Sequence, residues 1–293
     1  MPEKDDSVKS GQKKQSDSAL AEQVQHVQQA SIVEAFLPTP QSLQKTLSLI
    51  IFAQSVSAGL RQLLRSIDQQ NNSDFEVILV MPIERNFLRE WISVLALKQR
   101  INWHQLHTQH RSEAYNRAAE YAQGRYLLFL SDKDTLLGVH ALDRAISSLQ
   151  HSTQVVCAGS RLLVLRDGHS TLRESRFFMQ RYHRAETPSL LASTVIEKKL
   201  FLKVGGFDLS MGEEFFVSEF WQRALQKDPK FVFLPSVLVE SLLKSRVHDG
   251  ACSHHFFAFL VKVFWRQGPL VFVRVLFRQC KIALRFILLG DGS

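Results

Sequence analysis

Cysteine is scarce: Cys157, Cys252 and Cys280 stand far apart in 293 residues, with no C-x-x-C pair and no histidine at zinc-ligand spacing. That excludes a disulfide framework and a structural zinc, and it fits a reducing compartment. No uncharged apolar run approaches the roughly 18 residues that a spanning helix needs, so none is expected. The first residues, MPEKDDSVKSGQKKQ, have mixed charge and no apolar core. An ordinary secretory signal is thereby excluded, and a cytoplasmic protein is expected. There is no internal repeat, and no RNA- or DNA-binding motif with interleaved surface aromatics, so nucleic acid is not an expected partner.

What is present is a globular composition, 45% hydrophobic and 22% charged, with a net charge of +8. Such a charge favours anionic partners, phosphates or an anionic membrane surface among them. Residues 1–18 are polar and without aromatics, and are expected to be disordered. Residues 19–45 read as an accessory helix, from Leu20 to Phe36, and a linker that Pro38 and Pro40 open. Over 46–250, short continuous apolar runs alternate with helical segments. The runs Leu47 to Phe52, Phe75 to Val80, Tyr126 to Leu130 and Val155 to Ala158 predict buried strands of a parallel sheet. Helices are predicted at Leu60 to Gln70, Phe87 to Lys98, Ala114 to Ala122 and Val139 to Gln150. The alternation implies a doubly wound α/β fold, with a hairpin or long excursion at Arg161 to Leu165 and Ser170 to Phe178.

Residues 251–293 differ. Lys262, Arg266, Arg274, Arg278, Lys281 and Arg285 recur at helical spacing among Phe, Leu and Val. This is the pattern of a basic amphipathic helical tail, which Gly268 and Pro269 divide in two. It suits a helix lying in a membrane interface, peripheral on the inner face, and equally one packed on the α/β domain or a second copy.

The stretch from Arg111 to Asp134, RSEAYNRAAEYAQGRYLLFLSDKD, runs from a helix through Gly124 into a strand that ends on two carboxylates. Parallel sheets place ligands at the carboxyl ends of their strands, where Asp132 and Asp134 would stand. Paired with diphosphate oxygens, two carboxylates suit Mg²⁺ or Mn²⁺. The alternative is a solvated turn in which Asp caps the next helix.

In order, TLSLII (Thr46 to Ile51), the helix from Leu60, DFEVILV (Asp74 to Val80), SEAYNRAAEYAQGRYLLFL, VGGFD (Val204 to Asp208), GEEFFVSEFWQRAL and KFVFLP resemble the family-two glycosyltransferases. Their fold is the nucleotide-diphospho-sugar transferase type called GT-A, and the resemblance covers about Thr46 to Gly268. It implies transfer of a sugar from a nucleotide-diphosphate donor, with inversion, to the hydroxyl of a glycan or lipid-linked acceptor. By that resemblance Asp132, Asp134 and His248 are the metal candidates, Asn116 and Arg117 match the Asn-Arg helix and are candidate donor contacts, Arg117 as a partner for a phosphate, and Glu213 and Glu214 occupy the acidic pair, with Glu214 at the position of the base. Several positions depart from the pattern. Ser131-Asp132-Lys133-Asp134 stands where the family has Asp-x-Asp-Asp, so either the motif is displaced by one residue or Ser and Lys have replaced two acidic positions, and the ends of the first two strands leave Gln54 and Glu84 as stand-ins for nucleotide contacts. Those departures keep open a catalytically degenerate scaffold or regulator. The Glu pair also reads as an acidic helix start, and Arg117 as part of a solvated face.

Overall fold

The computed structural model describes residues 45–82, 100–108, 110–150, 156–165, 168–175, 191–213 and 215–243, with Val261 and Val273 besides. The helices expected at 20–36 and 87–98 and, apart from those two valines, the basic tail lie outside the described residues.

The first apolar runs form strands buried on both faces. β1 (Leu47–Phe52) and β2 (Phe75–Met81) are buried at every position, which is why neither alternates in polarity. Between them α1 (Ala58–Asp68) buries Leu60, Leu63, Leu64 and Ile67, one helical face. It starts two residues before the expected Leu60, because Ser57 caps it: the Leu60 amide donates to Ser57 Oγ at 3.1 Å. β3 (Ile101–Gln105) joins β2. The chain then returns through α2 (Arg111–Tyr121) to β4 (Tyr126–Ser131), on the other side of β1. These four strands are parallel. The direction of winding therefore changes between β1 and β4, the kind of switch point that opens a crevice beyond the strand ends.

Past β4 the sheet becomes mixed. It takes up β5 (Asp134–Leu136), β6 (Val156–Leu165), β7 (Ser170–Arg173), β8 (Thr194–Glu197) and β9 (Phe231–Leu243), in the order β3-β2-β1-β4-β8-β6-β9-β5 with β7 on β6. β8 runs antiparallel to both β4 and β6. The segment Val156 to Ala158, expected in a parallel sheet, thus has one antiparallel neighbour, because an apolar run reports burial on two faces and says nothing of strand direction. β6 and β7 form the hairpin that the sequence predicted.

Helices α3 (Ala141–Gln150), α4 (Lys198–Val204) and α5 (Phe216–Leu225) complete the described fold. One side of the sheet carries an aromatic cluster in which Phe207 meets Phe129, Phe201, Phe216 and Phe220 at ring-centroid distances of 5.2, 5.1, 5.0 and 5.1 Å. The other gathers the leucines of α1 and the apolar residues of α3 with the strands into one buried cluster. At the opposite end of the strands from the crevice, buried Glu76 accepts from Ser48 Oγ, Asn102 Nδ2 and the Gln123 amide at 2.6, 2.9 and 2.6 Å. It clamps the loop that feeds β4, at Gly124, where an added Cβ would stand 2.5 Å from the Ser48 nitrogen.

Candidate active site

A cleft of about 720 Å³ opens at the carboxyl ends of β1 and β4, within the size range of small-molecule sites. Its walls come from four places. The end of β1 contributes Phe52, Gln54 and Ser55, and the start of α1 contributes Ser57, Ala58, Gly59 and Gln62. Ser131, Asp132, Lys133 and Thr135 come from the β4–β5 turn, and Arg111, Glu213, Glu240 and Leu242 close the far side.

The β4–β5 turn separates the two predicted metal carboxylates. Asp134 is 2% exposed and is not among the residues that line the cleft. One oxygen accepts from the Ser131 amide and from Ser131 Oγ, both at 2.8 Å. The other accepts from Arg161 Nη2 at 3.0 Å and from Ser241 Oγ. A carboxylate has about four lone-pair sites, and here all are used. Arg161 Nε in turn donates to Ser241 Oγ at 2.7 Å. Arg161 follows two register shifts, where β9 skips first Pro235 and Ser236 and then Leu238, Pro235 being a residue with no amide to donate. Bulges of this kind re-aim the next side chains.

Asp132 does reach the cleft. Its Oδ2 accepts from Ser57 Oγ at 3.2 Å, which ties the turn to the first turn of α1. Gly59 permits this approach, since a Cβ there would lie 2.0 Å from the Asp132 carbonyl oxygen. Gly59→Ala should therefore displace either the helix start or the turn, at a cost of about 2 kcal/mol. Urea unfolding with an unchanged midpoint would show that the two segments are not pressed together.

Glu213 is held at the mouth of α2. Its Oε1 accepts from the Arg111 amide at 2.8 Å, its Oε2 takes the Arg111 Nε, and the guanidinium lies 5.6 Å from the centroid of the Phe216 ring. Here Glu213 serves as an anion at a helix N-terminus. Asn116 is turned away to the Gly-Gly-Phe turn: its Oδ1 accepts from the Phe207 amide and its Nδ2 donates to the Phe207 carbonyl, both at 2.8 Å. Gly206 (φ +65) lies against that amide. Arg117 is an exposed residue 3.9 Å from Glu113 on the same helix. The structure brings Gln54, Asp132 and Glu213 together around the cleft and leaves Asn116, Arg117 and Asp134 elsewhere, while Glu84, Glu214 and His248 lie outside the described residues.

Glu240 carries no motif signal, yet it lines the cleft. Strand pairing sets it opposite Thr135, and alternation along β9 sends it to the face that Ser241 does not use. Arg111 and Ser57 had weak signals, as the residue that opens the Asn-Arg helix and as a helix cap.

A divalent cation requires several oxygen ligands. Among the described residues no group of three His, Cys, Asp or Glu is placed to hold one. Asp134 has no acceptor position left, and Asp132 shares the cleft wall with the Lys133 ammonium. The donors among the described residues do not by themselves fit a resident metal.

An open mixed sheet with a cleft beyond the ends of β1 and β4, roofed by the turn after β4, is the architecture of a GT-A nucleotide-sugar transferase. Residues 48–207 match the family described as glycosyl transferase family 2, more than half of the chain, and the chain belongs to that family. The crystal structure of S. aureus TarS 1-349 superposes with a TM-score of 0.60 at 13% identity, covering 82% of this chain and 72% of that one. Its complex with UDP-GlcNAc gives 0.58 at 16%, covering 79% and 66%. The mannosyltransferase PcManGT from Pyrobaculum calidifontis, in complex with GDP-Man and Mn²⁺, gives 0.55 at 14%, covering 84% and 73%. At such identities the likeness shows the fold. No curated protein matches the chain.

Proposed function

We propose that this chain transfers a sugar from a nucleotide-diphosphate donor to the hydroxyl of a glycan or lipid-linked acceptor, with inversion. The observation that carries the reading is the cleft at the β1–β4 switch point in a chain of this family. Gln54, at the end of β1, is the proposed contact to the nucleotide, with Glu84 after β2 as its partner. Asp132 stands on the donor side. Inversion requires one carboxylate to take the proton of the acceptor hydroxyl as the hydroxyl attacks the anomeric carbon. Glu214 is the proposed base, and Glu213 holds the adjoining segment to Arg111. Asn116 supports the site indirectly, by fixing the turn before that segment, and Arg117 contributes charge at the surface.

UDP-GlcNAc and GDP-Man, the donors in the TarS and PcManGT complexes, begin the test. Release of nucleoside diphosphate that depends on an added acceptor is the expected result. A saturated Asp134 in an altered motif favours a second reading, a scaffold or regulator that keeps the fold without turnover. Binding of nucleotide sugars with no release or transfer from any donor would select it.

Among the described residues no helix is long and apolar enough to cross a membrane. The cationic tail is proposed to place the enzyme peripherally on an anionic cytoplasmic surface, each cation contributing about 1 kcal/mol near such a surface. Replacing Arg274, Arg278, Lys281 and Arg285 by Gln should then abolish most sedimentation with anionic liposomes, and salt should weaken it in the parent chain. Equal partitioning of the two proteins would assign the tail to packing within the protein.

A further inference from the structure

We propose that Lys133, in place of a divalent cation, meets the diphosphate of the donor in this chain. The inference rests on the donor reading above and deepens it. A diphosphate bound in the cleft needs positive charge, and that charge comes either from a metal held by carboxylates or from side chains. Of the two carboxylates of the turn, one is committed elsewhere and the other is tied to the start of α1. Asp134 spends its acceptor positions on Ser131, Ser241 and Arg161. Asp132 is met by Ser57 at the start of α1, where the helix dipole also favours its charge.

The cations sort just as clearly. Arg161 is buried against Asp134, and Arg111 is paired with Glu213. Lys133 lines the cleft, and among the described residues no carboxylate pairs with it. Its backbone is pinned on both sides. The Lys133 carbonyl accepts from the Leu242 amide at 2.9 Å, and the preceding Ser131 is locked to Asp134. The ammonium thus sits on a fixed turn at the carboxyl end of β4, on a flexible stem with three donors, the form in which lysine binds phosphate as a point charge. A lysine next to Asp132 in the chain also adds positive charge where a metal would have to be held, which raises the cost of holding one.

Calorimetric titration of the full chain with UDP and with GDP, in EDTA and then in Mn²⁺, tests this. The expected result is binding in EDTA that Mn²⁺ changes by less than about threefold. Lys133→Ala should weaken it about tenfold or more, the scale of a hydrogen bond to a charged group, and Lys133→Arg should restore most of the affinity. Lys133 is exposed, so the variants should stay folded, which circular dichroism checks. A Mn²⁺ enhancement of tenfold or more in the parent chain, or a Lys133→Ala variant that binds like the parent in EDTA, overturns the inference and leaves the donor reading standing. If neither diphosphate binds in either buffer, the donor reading fails and the inference falls with it.

Discussion

Asp134→Ala is expected to lower the free energy of unfolding by about 3–5 kcal/mol, the scale of breaking a buried ion pair by removing one partner. The pair broken is the one with Arg161, whose side chain is 12% exposed. Ser131 and Ser241 lose an acceptor in the same step, and neither can recover it from water while buried. In a urea titration the midpoint should fall with little change in slope. Asp134→Asn should be milder, since the amide oxygen still accepts from one side of the network. An unchanged midpoint, combined with loss of a Mn²⁺-dependent part of nucleotide affinity, would return Asp134 to the metal role that the sequence pattern assigned it.

Glu214→Gln is expected to reduce turnover by at least about a hundredfold while donor affinity stays within a few-fold of the parent, because a general base contributes roughly 10²–10⁴ and acts on the acceptor. Two further variants make the assignment specific. Glu213→Gln should act through Arg111 and the start of α2, lowering stability together with activity. Glu240→Gln probes the other cleft carboxylate. Full turnover in Glu214→Gln with a collapse in Glu240→Gln would move the base from the acidic pair to β9. The distinction is chemical: a carboxylate must have a lone pair free to take a proton, and Glu213 has both oxygens engaged by Arg111.

Much of the scaffold is legible in the sequence. β1, β2 and β4 are continuous apolar runs, α1 repeats its leucines at helical spacing, and the hairpin after Arg161 is marked by its glycine. β3 was missed, because INWHQ is half-polar and only partly buried at the sheet edge. β8 was missed because four residues are too few to show a period. Gln54 and Asp132, expected from their place at strand ends, and Glu213, expected from the family resemblance, all line the cleft. Glu240 could not be found that way, since a glutamate inside an apolar strand has no pattern to mark it.

Local chemistry along the chain determined which segments are buried, where the strands end, and that a carboxylate-rich turn follows β4. It could not determine what each carboxylate touches. Asp132 and Asp134 are two residues apart and alike in every sequence sense, yet Ser57 reaches the first from 75 positions away, while Arg161 and Ser241 reach the second from 27 and 107. Pairing of β5 with β9, and of β9 with β6, delivers those partners, and pairing is a property of the closed sheet. The tertiary structure alone therefore decided that one aspartate stands at the cleft, that the other is buried away from it, and that Lys133 lines the opening. The physical reason is that hydrogen-bonding capacity is finite: an acceptor filled by distant donors is no longer available to a ligand, whatever motif it belongs to.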